Sequence, residues 1–383
     1  MKTPTSRVHG LDTLRSVAIL SVIVFHVWGY GGDNKLPGWF EPVAQFGWMG
    51  VDLFFVLSGY LIGAQLLRPY LRGGTPSLWG FYRNRMYRIL PAYLAVLALY
   101  EFVPKWAEFS GLAPVWAFLT FTLNFAVGPY DAHAFSHAWS LCVEEHFYLL
   151  LPLIFLAMMK KPSARKAAIA FACFVLAGIA IRSFILLHWL RPQAATGEWP
   201  NYLNLIYYAT YCHFDGLLVG VALAVVKSFR PSWWAAFAQR GHLQALAGIA
   251  LIAVCVPLFK DRFVSATGIT AVGDVIGFPV LSLGLGLLVA SAMSVNGVLS
   301  RMRVPGAKLV ATLAYTLYLT QKEMIHLVSA WFPMAEHWGG WRWLLVYGVC
   351  CMVVAGLLHL SIERPFLKLR DRRRKPRMET AAV

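Results

Sequence analysis

One imidazole stands out among the residues able to do chemistry. His26 follows Phe25 near the end of an apolar run that begins at Leu14, about 18 Å further along if the run is helical. Histidine is the side chain best matched to proton transfer near neutral pH, so a general base is one reading. The other is an imidazole hydrogen-bonded at a helix crossing. A second cluster, Glu144-Glu145-His146, puts three ionisable groups in a row, and a carboxylate there can orient an imidazole or share its proton. Arg85 and Arg88 are three apart, so a helix shows both on one face, and their planar forks suit phosphate oxygens. The alternative is a basic anchor that meets only lipid headgroups.

These groups must be positioned by elements made for lipid. Of 383 residues, 58% are apolar and 14% charged, against about 25% charged in a soluble globular chain. That leaves too little polar surface for a water-soluble body of this size, and predicts an all-α, polytopic membrane bundle. A span needs roughly 20 mostly apolar residues. Segments near 13–32, 46–67, 87–103, 138–158, 167–188, 203–226, 242–259, 272–294, 308–331 and 342–362 qualify, about ten spans in all. A shorter run at 114–127 begins at a proline and is expected to be re-entrant or interfacial.

Charge parity supports that count. With ten spans, 26 of the 34 Lys and Arg fall on one side. The other side holds only Lys35, Lys105, Arg191, Lys260, Arg262 and Arg342. Basic loops stay in the cytoplasm, so both termini are expected there. The net charge of +16 therefore points to anionic lipid rather than nucleic acid. A transmembrane domain over 1–367 and a short basic cytoplasmic tail over 368–383 follow. The six cysteines all sit in apolar stretches with no CxxC pair, which reads as core thiols, and no metal site is expected.

Ionisable groups inside hydrocarbon cost several kcal/mol unless paired or wetted. Besides His26, Glu144, Glu145 and His146, the set comprises Asp52, Arg182, His213, Asp215, Asp274, Lys322 and Glu323. Each is either a functional group or half of a buried pair that locks helices together. Outer-side tryptophans (Trp39, Trp48, Trp106, Trp116, Trp199, Trp338 and Trp341) serve equally as sugar platforms or as an interfacial belt.

Taken in order, several stretches resemble the acyltransferase-3 family of membrane O-acyltransferases. The opening Leu11-Asp12-x-Leu14-Arg15 and Phe25-His26 lead to Gly50-Val51-Asp52-Leu53-Phe54-Phe55-Val56-Leu57-Ser58-Gly59-Tyr60. Next come Arg85-x-x-Arg88-Ile89-x-Pro91 and Trp139-Ser140-Leu141-x-Val143-Glu144. Phe214-Asp215-Gly216, Ala314-Tyr315-Thr316-Leu317-Tyr318 and Ile362-Glu363-Arg364-Pro365 complete the series.

The resemblance implies an enzyme that moves an acyl group, usually acetyl, from cytoplasmic acyl-CoA to a hydroxyl of an extracytoplasmic or lipid-linked carbohydrate, in polysaccharide or lipopolysaccharide modification. It implies that His26 is the base, with Glu144 orienting it. An acyl-His26 intermediate is an open variant. Arg85 and Arg88, with Arg15 and Ser58 at recurrent positions, fall to acetyl-CoA; Asp52, Glu145, Asp215 and Lys322 fall to the acceptor. A bacterial inner membrane is the expected location. The last span is followed only by the basic tail, with no fused extracytoplasmic domain, so transfer is direct or finished by a separate extracytoplasmic partner. Departures from the family pattern are Thr13, Ser16, His213, Gln321 and Lys322. The rival class is a glycan or acylated-metabolite transporter or flippase, with buried His, Glu and Asp as a proton relay.

Overall fold

A computed structural model describes residues 9–31, 36–126, 134–195, 201–260, 263, 268–334 and 340–374. Ten principal helices cover them: α1 (His9–Tyr30), α2 (Met49–Tyr70), α3 (Leu78–Phe102), α4 (Trp139–Met159), α5 (Ala164–Ile185), α6 (Asp215–Phe229), α7 (Gly241–Leu258), α8 (Phe278–Ala292), α9 (Ala307–Trp331) and α10 (Gly340–Leu358). Among the described residues there is no named strand, and the protein is an all-helical membrane bundle.

Among the described residues, seven helical stretches are long and apolar enough to cross a membrane: those holding α1, α2, α4, α5, α7, α8 and α10. The other three expected spans exist as helices of a different character. α3 carries Arg83, Arg85 and Arg88, and α9 carries Lys308, Lys322 and Glu323. The segment expected over 203–226 is broken: Leu203–Tyr207 forms a π turn, Thr210–Cys212 a 3-10 turn, and only Asp215–Phe229 is regular helix. The run at 114–127 breaks into two short helices, Val115–Leu119 and Leu123–Ala126, too short to span.

The outward faces are made for hydrocarbon. On α10, Leu345, Val349, Val353 and Leu357 repeat every four residues and are all exposed. α7 likewise exposes Leu243, Leu246, Ile249 and Val254. Water would penalise such stripes; acyl chains do not. After α10 the helix runs on through a π turn, His359–Glu363, into Arg364–Arg374. The expected tail boundary at 368 therefore falls inside a continuous helix.

Lipid offers no hydrophobic drive between helices, so close packing of small residues must hold them. α2 and α6 meet through facing Gly-x-x-x-Gly pairs, Gly59/Gly63 and Gly216/Gly220. A Cβ at Gly59 would collide with the Leu217 carbonyl, and one at Gly220 with the Val56 carbonyl. Gly220→Leu should therefore part the helices at a cost of about 3 kcal/mol. The expected result is a lower Tm and loss of monodisperse protein in detergent. Gly356→Leu, on an α10 position with open space around it, should leave both unchanged. Equal behaviour of the two variants would refute this packing account.

α1 and α9 run side by side in the same direction. The Ser16 hydroxyl donates to the Ala307 carbonyl at 2.7 Å near one end, and His26 meets Gln321 further along. α2 runs against α1, with Gly50 packed on Ala18 and Gly47 on Ser21. One end of this core therefore holds His26 and the start of α2; the other holds Arg68 and the start of α9.

Candidate active site

His26 lines a cavity of about 480 Å³ enclosed by α1, the start of α2 and the segments before α4 and α6. Its Nδ1 lies 2.5 Å from the Gln321 carboxamide nitrogen. No described residue hydrogen-bonds Nε2. The backbone carbonyl of Gln321 in turn accepts from the Tyr347 hydroxyl at 2.7 Å, which fixes α9 against α10.

Gln321, Lys322 and Glu323 are consecutive and all fully buried on α9. Successive helical residues point about 100° apart, so the three reach different neighbours. Gln321 takes His26. Lys322 Nζ sits 3.1 Å from Glu108 Oε1 and donates to Ser136 Oγ at 2.9 Å. Glu323 accepts from the Tyr100 hydroxyl and has an oxygen 3.8 Å from His137 Nε2.

Glu108 has an oxygen 2.7 Å from the same Tyr100 hydroxyl, which the two carboxylates share, and accepts from the Phe135 amide at 3.2 Å. Phe135 is held in the left-handed region at φ 56°, a conformation costing of order 1–3 kcal/mol for a non-glycine residue. Its ring stacks on Tyr100 at 4.6 Å and Phe118 at 5.4 Å. This turn delivers Ser136 and His137 to the cavity wall. The His137 ring centroid is 6.1 Å from that of His26, and neither of its nitrogens makes a hydrogen bond of ordinary geometry among the described residues. Tyr318 closes the inner wall, donating to the His137 carbonyl at 2.8 Å with its oxygen 2.6 Å from Ser140 Oγ.

The rest of the wall is aromatic. Trp48, buried at 1% exposure, packs edge-on to Tyr207 and Phe259. Trp139 lies 5.0 Å from Tyr207 and 5.2 Å from Tyr208. Of the tryptophans read from the sequence, Trp48 alone lines this cavity among those described. Trp39, Trp116 and Trp341 are exposed, as a belt requires. Trp106 is half-buried outside the cavity lining, and Trp199 and Trp338 lie outside the described residues.

The structure does not bring Glu144 to His26. Glu144 lies beside the hydroxyls of Ser58 and Tyr148, under the influence of Arg85 and Arg88. Where Glu144 was expected beside His26, the group at Nδ1 is Gln321. Arg85 donates to Gln65 Oε1 at 3.2 Å and stacks over the Tyr148 ring at 5.2 Å. Glu145 sits beside Glu144 and Arg85 in the same cluster. Arg15 is half-buried on α1, eleven residues before His26, hence about 16 Å from it along the helix.

The other buried charges are paired. Arg182 Nη1 is 2.6 Å from Asp215 Oδ2 and donates to the Cys212 carbonyl at 2.5 Å, while Nε donates to Val275 at 3.2 Å. This fork satisfies the Cys212 carbonyl, freed where the 203–226 segment breaks, and the Val275 carbonyl in the π turn Val272–Gly277. His213 Nε2 lies 3.4 Å from Asp52 Oδ1. His146 pairs with Thr210 at 2.9 Å, and Asp274 caps its own turn through the Thr270 amide at 2.7 Å. Asp52 and Asp215 thus fall outside the cavity lining, and Lys322 stands one ring behind it, 4.6 Å from the Tyr30 centroid.

Sequence reasoning missed His137, Ser136 and Glu108, noted Tyr318 only within a motif, and noted Gln321 only as a departure. His137 and Ser136 directly precede the Trp139-Ser140-Leu141 motif, which was the available signal.

A family model described as an acyltransferase domain matches residues 8–360. The O-acetyltransferase OatA of Staphylococcus aureus (strain NCTC 8325) is 24% identical over 353 residues, covering 85% of this chain and 52% of that protein. The same values hold for OatA of strain MRSA252. A second S. aureus protein (strain COL) is 28% identical over 228 residues, covering 56% of this chain and 34% of its own length. The chain thus spans about half the length of the OatA relatives it matches. No solved structure matches it.

Proposed function

The chain belongs to the acyltransferase-3 family, and on that premise we propose that it is a transmembrane O-acyltransferase. It takes an acyl group, acetyl foremost, from cytoplasmic acyl-CoA and transfers it to a hydroxyl of a carbohydrate held in the aromatic cavity. The observation that carries this reading is His26: it opens on a roomy cavity with one ring nitrogen fixed by Gln321 and the other unengaged.

In this mechanism the amide of Gln321 presents its oxygen to His26 Nδ1–H. Half a turn about the last side-chain bond exchanges a carboxamide's O and N; the Gln321 oxygen has no hydrogen-bond partner among the described residues while its nitrogen abuts Nδ1. Turning the amide over makes Nδ1 the donor and leaves the Nε2 lone pair to take the acceptor's proton. The acceptor oxygen then attacks the thioester carbonyl, the C–S bond breaks, and the imidazolium returns the proton to the departing thiolate. Trp48 and Trp139 supply flat apolar faces against which a sugar ring packs. Glu144, with Ser58, Tyr148 and Gln65, holds Arg85 for the donor's phosphates.

About ten spans, cytoplasmic termini and a bacterial inner membrane belong to the same proposal, supported by the 26-to-six asymmetry of Lys and Arg. So do a lipid-linked or surface glycan as acceptor and a separate extracytoplasmic partner in its delivery.

The test is acetyl transfer in purified membranes with label in the acetyl group of acetyl-CoA. The expected result is label in a glycan or glycolipid fraction, and a rise in Tm of the purified protein with acetyl-CoA. No incorporation and no thermal shift would reject this function in favour of transport.

A further inference from the structure

Two cavities lie at opposite ends of α2. Val51 lines the His26 cavity; Gln65, Arg68, Pro69, Arg72 and Gly74 line a second one of about 420 Å³. Between Phe54 and Arg68, α2 is buried except at Phe54, Ser58, Leu61, Ala64, Gln65 and Arg68. Those positions recur every three or four residues, so they form one stripe along the helix. The stripe is marked by polar groups: Ser58 lies beside Glu144, and Gln65 accepts from Arg85 at 3.2 Å. A face turned to lipid would not be built this way.

The length of α2 measures the gap. Val51 and Arg68 are seventeen residues apart on one unbroken helix, or about 25 Å. In acyl-CoA about thirteen bonds separate the thioester sulfur from the first phosphorus. At extended-chain reach that is roughly 16 Å, and the diphosphate and ribose add about 8 Å. A donor with its thioester at His26 therefore sets its diphosphate near Gln65 and Arg85, and its nucleotide near Arg68 and Arg72.

We propose that the second cavity is the site for the phosphorylated nucleotide end of the donor, with Arg68 and Arg72 on the ribose phosphate. This rests on the acyl-CoA reading above. The ligand chemistry is a nucleotide carrying a phosphate monoester and a diphosphate, which guanidinium forks match in geometry and charge. The C-terminus of α2 adds partial negative charge at this place, and two full cations outweigh it. Gly73, at φ 75°, turns the chain back so that Arg72 and Gly74 close the same rim.

The experiment compares wild type with the double variant Arg68→Ala/Arg72→Ala in lipid nanodiscs, one set zwitterionic and one containing phosphatidylglycerol. Two donors are used: acetyl-CoA, and S-acetylpantetheine, which lacks the nucleotide. Binding of labelled adenosine 3′,5′-bisphosphate is measured separately. The site assignment requires that KM for acetyl-CoA rise at least tenfold in both lipids with a much smaller change in kcat. The defect must be confined to the donor that carries the nucleotide, and bisphosphate binding must weaken at least tenfold. Equal losses with both donors, or an effect seen only with phosphatidylglycerol, would overturn it, the latter pointing to a headgroup anchor. If wild type binds the bisphosphate through these arginines but consumes no acetyl-CoA, the cavity assignment stands and the acyl-CoA reading fails. If acetyl-CoA is consumed and the variant binds the bisphosphate as wild type does, the reverse holds.

Discussion

Replacing His26 by alanine is expected to lower kcat/KM for acetyl transfer by roughly 10²–10⁴-fold, the range that a positioned general base supplies. His26→Gln should be as inactive, because an amide fills space and hydrogen-bonds but takes no proton. The side chain stands at a cavity wall, half-open rather than in close packing, so both variants should keep their fold. Retained thermal stabilisation by acetyl-CoA would show this. Each is measured as labelled acetyl entering glycan per mole of folded protein. Activity near wild type in either variant removes His26 from the chemistry.

A smaller but more discriminating loss is expected at Gln321. Gln321→Leu is close in volume and leaves Nδ1 of His26 without its partner. A buried group left unsatisfied costs about 1–3 kcal/mol, which corresponds to a fall in kcat of about 5- to 150-fold. Gln321→Glu should restore most of the rate, since a carboxylate accepts the Nδ1 proton as the amide oxygen does. It also favours the imidazolium, so the acid limb of the pH–rate profile should move to higher pH. A residue needed only for packing would give neither the rescue by glutamate nor the displaced profile. Equal loss in both variants would sink the positioning role.

The sequence is legible where local rules act and silent where helices cross. The apolar run ending at Phe25-His26 does carry its imidazole to a cavity, because helical rise alone sets that depth. Arg85, Ser58 and Glu144 do gather, on three different helices. At His26 the neighbours are Gln321 on Nδ1 and the ring of His137, rather than the expected Glu144. His137 and Glu144 are seven residues apart, about 10 Å if the whole stretch is helical, and nothing in the linear motif says that the turn before α4, rather than α4 itself, reaches the imidazole. Gln321 escapes a search for charge in hydrocarbon because it carries none.

The break in the 203–226 segment is equally hidden. Its freed Cys212 carbonyl is satisfied by Arg182 from a neighbouring helix, so the apolar pattern runs on as though the helix did.

One consequence follows from the three consecutive residues on α9. Gln321, Lys322 and Glu323 address separate neighbours, so no single-residue slip or turn of that helix can keep any two of these contacts. Grafting an acceptor site from one such protein to another therefore has to move them with His137, Glu108 and Tyr100 as one inheritable unit. A chimera that splits the set should fold its helices and still lose its catalytic register.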